Sequence, residues 1–283
     1  MKKKTLALLC AILVVTSVIS FSSCKKAANN QNFVVLNEKL ATEQYGVGFR
    51  KGDIALGLEV QKQLDSMISD GTAAKISTKW FGSDQMIHNA SFLKETSAPV
   101  GDDSLKKVKE KGKLILGLDA SFPPMGYTDD NNNVVGFDID LAKEVAKRMG
   151  VTLVPKPTDW DTITLSLNSN KIDCIWNGLT INSDRLKAMF FAKPYLNNYQ
   201  AIMVPEGSSI KSVADLAGKK VGYQKGSSAL DAINASSVKS SIAKLSSYPD
   251  NVSAFLDLKV GRIDALVLDS VVSKYISDKY KDK

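Results

Sequence analysis

The chain has 283 residues and a formal net charge of +7, from 37 Lys and Arg against 30 Asp and Glu, with 44% hydrophobic and 24% charged residues. That is enough length for two lobes with separate cores, and the composition of a soluble globular protein. One His and three Cys leave no ligand set for zinc and no His-dependent triad, and no basic run interleaved with aromatics argues for nucleic acid, so neither a metal, a cofactor nor a nucleic-acid partner is expected.

Lys2, Lys3 and Lys4 followed by the apolar run Thr5 to Ile19 read as a secretory signal, too short for an ordinary membrane span. Phe21-Ser22-Ser23-Cys24 resembles a bacterial lipobox, which would make Cys24 the lipidated first residue of the mature chain and 25–31 a polar tether. Cys10 then leaves with the signal. Cys174, in the apolar run IDCIW, remains as a buried small hydrophobe without a disulfide partner.

Tyr45 to Arg50 is predicted as a short strand. Gly52-Asp53 then opens a helix with Leu56, Val60, Leu64, Met67 and Ile68 at helical spacing. Thr72 caps a second helix that ends at Gly82. Residues 83–103 lack periodicity and read as a linker. Ser104 caps a short basic helix, and Lys113 to Leu118 is a buried strand ending at Asp119. Val134 to Phe137 is a strand before a helix stopped by Gly150. Val151–Val154 and Ile172–Trp176 are further strands, with Ile163 to Leu167 in a helix between them. Ser183 caps the helix that carries Arg185. Lys220–Tyr223 and Ile263–Leu268 are strands, and Ala229–Ala235 and Val252–Val260 are helices. Strands alternating with helices imply a largely parallel α/β sheet. The segments NSNKIDCIW (168–176) and LKVGRIDALVL (258–268) form a weak internal repeat, one unit for each of two similar lobes.

Several polar residues sit just past strand ends, where open α/β sheets bind ligands. They are Asp119, Arg185 after the loop GLTINSD, Gly226-Ser227-Ser228 ahead of a helix, and Asp269. From spacing alone Arg185 could be a solvated surface charge, Asp269 a helix cap and the GSS turn one of many such turns. Together they are what a free amino acid requires: a bidentate cation for its carboxylate, hydroxyl or backbone donors beside it, and an anion for its ammonium.

The segments GFDIDLAKEVAKRMG (136–150), KIDCIWNGLTINSDR (171–185), FAKPY (191–195), ADLAGKKVGYQKGSS (214–228) and GRIDALVLD (261–269) resemble the polar amino-acid family of ABC-transporter substrate-binding proteins. The resemblance covers 33–82 and 104–283. EQYGVGFRKGD (43–53) and ISDGTAAKISTKWFG (68–82) resemble the family's end, whereas SLKKVKEKGKLILGLDASFPPMGY (104–127) resembles its beginning. Joining Lys283 to Asn32 on paper restores the usual order, so the chain resembles a circular permutant.

The resemblance implies a two-lobed periplasmic-binding-protein-like α/β fold with a hinge. Its parts would be a signal peptide (1–23), a lipid-anchored tether (24–32), a crossover strand from the second lobe (33–41), a first lobe (42–198, including the linker 83–103) and a second lobe (199–283). The hinge crossovers would lie near 197–203 and 35–41.

It also implies roles. Arg185 clamps the ligand carboxylate, helped by Thr180, Gly178 and Ser228, with Ser227 beside it, and Asp269 takes the α-ammonium. Phe122 and Trp160 sandwich the side chain, whose polar end meets Asp119, with Asn177 and Gln224 as further contacts. The implied ligand is a polar or basic L-amino acid, arginine, lysine or histidine first and glutamine or cystine next. The implied partners are an ABC permease with its ATPase, since the chain has no phosphate-binding GxxxxGK[ST] loop. A monomer, anchored outside the cytoplasm and without enzymatic activity, is expected. A sensor subunit for a membrane receptor, a dehydratase-like enzyme on the same fold and a permuted biosensor scaffold are the alternatives.

Overall fold

The computed structural model describes residues 32–91 and 95–280. The expected signal segment, the lipidation site Cys24 and the tether to residue 31 lie outside the described residues. Among these residues no helix is long and apolar enough to cross a membrane.

The chain opens with strands β1 (Phe33–Val35), β2 (Ala41–Tyr45) and β3 (Gly48–Arg50), then helices α1 (Ile54–Ser69) and α2 (Thr72–Phe81). Next come α3 (Ser104–Glu110), β4 (Lys113–Leu118) and the short strands β5 (Ser121–Phe122), β6 (Gly126–Thr128) and β7 (Val134–Val135). Helix α4 (Phe137–Arg148), β8 (Thr152–Pro157), α5 (Ile163–Asn168), β9 (Cys174–Ile175), α6 (Ser183–Ala188) and β10 (Met189–Phe191) follow. The long β11 (Leu196–Pro205) leads to β12 (Lys220–Gln224), α7 (Ala229–Ala235), β13 (Lys244–Tyr248), α8 (Asn251–Lys259), β14 (Ala265–Asp269) and α9 (Ser270–Tyr280).

The α/β expectation holds, with two main sheets rather than one. The first runs β10-β3-β9-β4-β8, and the second β1-β11-β14-β12-β13 with β2 alongside β11. β4 is parallel to β8 and β9, and β12 is parallel to β13 and β14. The parallel strands are joined through helices, which places their C-terminal ends at one edge of each sheet.

The chain passes between the sheets at residues 46–47 and 192–195. The crossovers expected near 35–41 and 197–203 therefore fall within or beside the second sheet. Tyr45 to Arg50 is likewise two strands and not one. At the break, a side-chain carbon on Gly46 would approach Ile181 Cδ1 to 2.8 Å and Phe191 Cδ1 to 2.9 Å, so only glycine fits.

Three helix starts differ by one residue from the sequence reading. Asn182 caps α6, its Oδ1 accepting from the Arg185 N–H at 2.9 Å, and Ser183 is already helical. Gly71, with φ of 78°, precedes Thr72, so Thr72 is inside α2. Asp103 precedes α3, and the Ser104 hydroxyl instead accepts from Leu56 N–H of α1 at 3.1 Å. Val134–Phe137 is a strand only over its first two residues, because Phe137 begins α4.

The internal repeat has a physical basis. Asp173 N–H donates to Ile115 O and its Oδ2 accepts from Ile115 N–H, both at 2.7 Å. Asp264 makes the same reciprocal pair with Lys220, both bonds at 2.8 Å. The preceding isoleucine, Ile172 or Ile263, lies over a glycine of the adjacent strand, Gly117 or Gly222, leaving no room for a Cβ there. Each Ile-Asp pair therefore holds a neighbouring strand by its hydrogen-bonding edge and by one face. Gly117→Ala and Gly222→Ala are expected to destabilise the protein by roughly 1–3 kcal/mol each through overpacking. Adding Ile172→Val to Gly117→Ala removes the methyl in the way and should recover most of that loss, measured by urea unfolding.

Candidate functional site

The C-terminal ends of the two sets of parallel strands face each other. Phe122, Trp160, Asn177, Gly178, Thr180 and Arg185 from the first half meet Gln224, Ser227, Ser228 and Asp269 from the second around one enclosed space. Its room for the centre of a water-sized sphere is about 10 Å³. A free amino acid is far larger, so it can enter only when the two halves part.

Direct contacts close the space. Lys225 Nζ lies 2.7 Å from Asp161 Oδ2. Asn182 Nδ2 donates to Asp231 Oδ2 at 3.1 Å, and Gln224 Nε2 to Asp119 Oδ2 at 2.6 Å. The hydroxyls of Thr180 and Ser228 are 3.1 Å apart. Gly226, with φ of 74°, lies flush against Asp161, whose Cα would be 2.8 Å from any Cβ. A side chain there would hold the halves apart.

Arg185 reaches the space from the first turn of α6. Its Nη1 donates to Thr180 O at 2.8 Å and its Nη2 to Gly226 O across the cleft at 3.2 Å. Among the described residues no carboxylate lies within ion-pair distance of it. Burial lowers its pKa, while Glu43 and Asp269 act to raise it. A guanidinium anchored by carbonyls but lacking a close anion is suited to take a carboxylate.

Asp269 ends β14. Its Oδ1 accepts from Tyr45 Oη at 2.7 Å, Asn198 Nδ2 at 2.6 Å and Gln200 Nε2 at 3.0 Å. Its Oδ2 carries no such bond among the described residues and remains for a donor from the cavity. Burial, followed by the charge of Glu43, pushes the pKa of Asp269 up to about 7. Phe122 and Trp160 form parallel walls, with ring centroids 6.5 Å apart and planes 5° apart. The Arg185 guanidinium carbon sits 5.8 Å from the Trp160 ring centroid.

Three expected contacts also hold bonds within the protein. Asp119 is set beside the cavity and does not line it, its Oδ1 accepting from Ser121 N–H at 2.8 Å and its Oδ2 taken by Gln224. Gln224 lines the cavity, but its amide is also held by Pro249 O and by Asn251 Nδ2. Ser227 turns its hydroxyl back on its own loop, donating to Gln224 O at 2.7 Å. Each is tied down by local backbone or by the opposing half.

Sequence reasoning missed Glu43, Tyr45, Asn198, Gln200 and Asn251. All but Asn251 lie on β2 and β11, paired strands of the second sheet that adjoin the two passages between the sheets. The available signal was Glu43 and Tyr45 at alternate positions of a strand, on one face.

Behind the cavity, Asp138 is fully buried. Its Oδ2 accepts from Gly178 N–H at 2.7 Å and Tyr195 Oη at 2.9 Å, and Oδ1 has no partner among the protein atoms described. Burial pushes its pKa up to about 7. Cys174 is a buried free thiol, as expected, with its pKa also raised by burial.

The model of the bacterial extracellular solute-binding proteins, family 3, matches residues 114–267. The L-cystine-binding protein TcyJ of Escherichia coli K12 is 35% identical over 182 residues, 63% of this chain and 66% of the relative. The chain thus spans just under two thirds of that relative's length. An arginine-bound variant of ArgBP from T. maritima is 38% identical, with a TM-score of 0.59 over 63% of this chain and 83% of that one. An ABC uptake transporter substrate-binding protein from Streptococcus pneumoniae with bound histidine is 32% identical, with a TM-score of 0.61 over 64% and 75%. Both are binding proteins of the expected two-lobed type.

The raised pKa of Asp138 has a consequence for stability. The folded state keeps a proton that the unfolded chain, with a pKa near 3.8, releases. The stabilisation is full below about pH 4 and is lost as pH rises to about 7. Asp138→Asn is expected to flatten the fall in unfolding free energy between pH 4.5 and 7, an effect of a few kcal/mol across that window. An equal or steeper slope in the variant, by urea titration at a series of pH values, would show that Asp138 does not hold the proton.

Proposed function

Because the chain belongs to the bacterial extracellular solute-binding proteins, family 3, we propose that it binds a free L-amino acid between its two halves and delivers it to an ABC importer. The observation that carries this reading is the pairing of Arg185, without a close anion, and the open Oδ2 of Asp269 around one enclosed space. Their charges suit the carboxylate and the ammonium of one zwitterion. Thr180 and Ser228 supply hydroxyls beside Arg185. The Phe122 and Trp160 walls favour a flat or extended side chain such as that of arginine or histidine, with lysine, glutamine and cystine as the further candidates. The protein acts as a carrier without catalysis. Hydrolysis of ATP belongs to its partner, and a lipid at Cys24 holds it to the membrane.

The expected circular permutation belongs to the same proposal. The family match starts at residue 114, yet residues 33–82 supply β1, β2 and β3 to both sheets and α1 and α2 beside them. Helix α9, the last element, packs against β1, the first. Closing these two ends and opening the linker restores the usual family order.

The purified full chain, freed of bound ligand and heated with a panel of L-amino acids, should gain roughly 2.7 kcal/mol from its ligand at about 100 times the dissociation constant. Arg185→Ala should reduce that affinity by roughly 100-fold or more. No stabilisation by any member of the panel would overturn the amino-acid reading. A rearranged chain that starts at residue 95, runs to 283, continues through a short linker to 32 and ends at 91 should fold and bind the same ligand. Failure to fold would count against permutation.

A further inference from the structure

Glu43 lies on β2 opposite Asn198 of β11. Its Oε2 accepts from Ser228 Oγ at 2.8 Å and its Oε1 from Gln200 Nε2 at 2.5 Å. The same Gln200 nitrogen is 3.0 Å from Asp269 Oδ1 and 3.2 Å from Ser228 Oγ. One amide group, with two hydrogens, therefore serves two carboxylates and a hydroxyl. Among the described residues neither Glu43 nor Asp269 has a cation within ion-pair distance.

Two neighbouring carboxylates, one of them fully enclosed, are costly, and Arg185 acts on both only from beyond ion-pair distance. Glu43 does not line the ligand cavity. Its carboxylate reaches Ser228, which does line that cavity, while the residue also borders the groove that Thr42, Asn198 and Ser270 line. It thus acts from beside the cavity, through Gln200 and Ser228.

We infer that Glu43 is a positioning residue that makes the site demand an ammonium. It orients Gln200 and Ser228 and adds a second negative charge beside Asp269, so that a ligand bringing a cation relieves the pair on closure beyond what Arg185 does. This rests on the amino-acid reading above and extends it to a residue outside the cavity.

The groups facing Asp269 fix the sign of its pH dependence. Glu43 and the neutral Tyr45 approach from β2, the neutral Asn198 and Gln200 from β11, and Arg185 from α6. Glu43 is the strongest charge holding the Asp269 pKa up, and Arg185 opposes it. Asp269 must be ionised to hold an ammonium. Affinity therefore falls as pH drops through about 7, and removing the Glu43 charge moves that fall to lower pH.

The test is calorimetric titration of the purified full chain with L-arginine, L-histidine and L-cystine from pH 5 to 8.5, for the wild type, Glu43→Gln and Glu43→Asp. Glu43→Gln should weaken the binding amino acid roughly tenfold at the upper end. It should also shift the loss of affinity downward by about one pH unit, and Glu43→Asp should restore part of both. Unchanged affinity, or a weakening with the pH profile unmoved and no rescue by Asp, overturns this inference alone. Failure of the wild type to bind any of the three overturns it together with the amino-acid reading.

Discussion

The carboxylate of Asp269 is the point on which the site is built. Three donors from two hinge strands converge on its Oδ1, two of them 2.7 Å or closer. That convergence fixes β2 and β11 against the end of β14 and leaves the second oxygen to the cavity. Tyr45, one of the donors, packs on Tyr195 with ring centroids 6.4 Å apart, and Tyr195 in turn donates to Asp138. Two buried acids, one from each half, are thus linked through a pair of tyrosines that lie where the chain changes sheet. An unpaired member of such a network is costly, and among the described residues Asp138 Oδ1 is one. The cleft and the hinge are therefore one construction.

Much of the site was legible because parallel strands deliver their next residues to a common edge. Arg185, Thr180 and Gly178 follow one strand, Ser228 a second and Asp269 a third, and the chain brings them together as the family resemblance implied. Side-chain partners were less legible. Asp119 and Gln224 have the right chemistry for a ligand, but they satisfy each other across the cleft at 2.6 Å. Ser227 and Ser228 are adjacent and alike, and only the turn decides which hydroxyl faces its own loop.

The hinge was least legible. Hydrophobic alternation through Tyr45–Arg50 reads as one strand, since nothing local marks the passage at Gly46 from one sheet to another. Glu43, flanked by the exposed Thr42 and Gln44, looks like an ordinary edge residue until its contacts with β11 and with Ser228 are seen. The helix starts were wrong by one residue for a related reason. Asn182 and Ser183, or Asp103 and Ser104, are equally competent caps, and tertiary contacts such as that of Ser104 with α1 choose between them.

The bonds that join the two halves directly have a kinetic meaning. Any bound molecule can leave only after Lys225 parts from Asp161, Asn182 from Asp231 and Gln224 from Asp119, whatever the molecule's own contacts are. Residence time then has a component common to all occupants, set by the protein's own fastening, and selectivity between occupants appears mainly in how far they shift the balance of open and closed forms. The Lys225–Asp161 bridge is the ion pair of that fastening and is exposed, so its share of the residence time should depend on ionic strength.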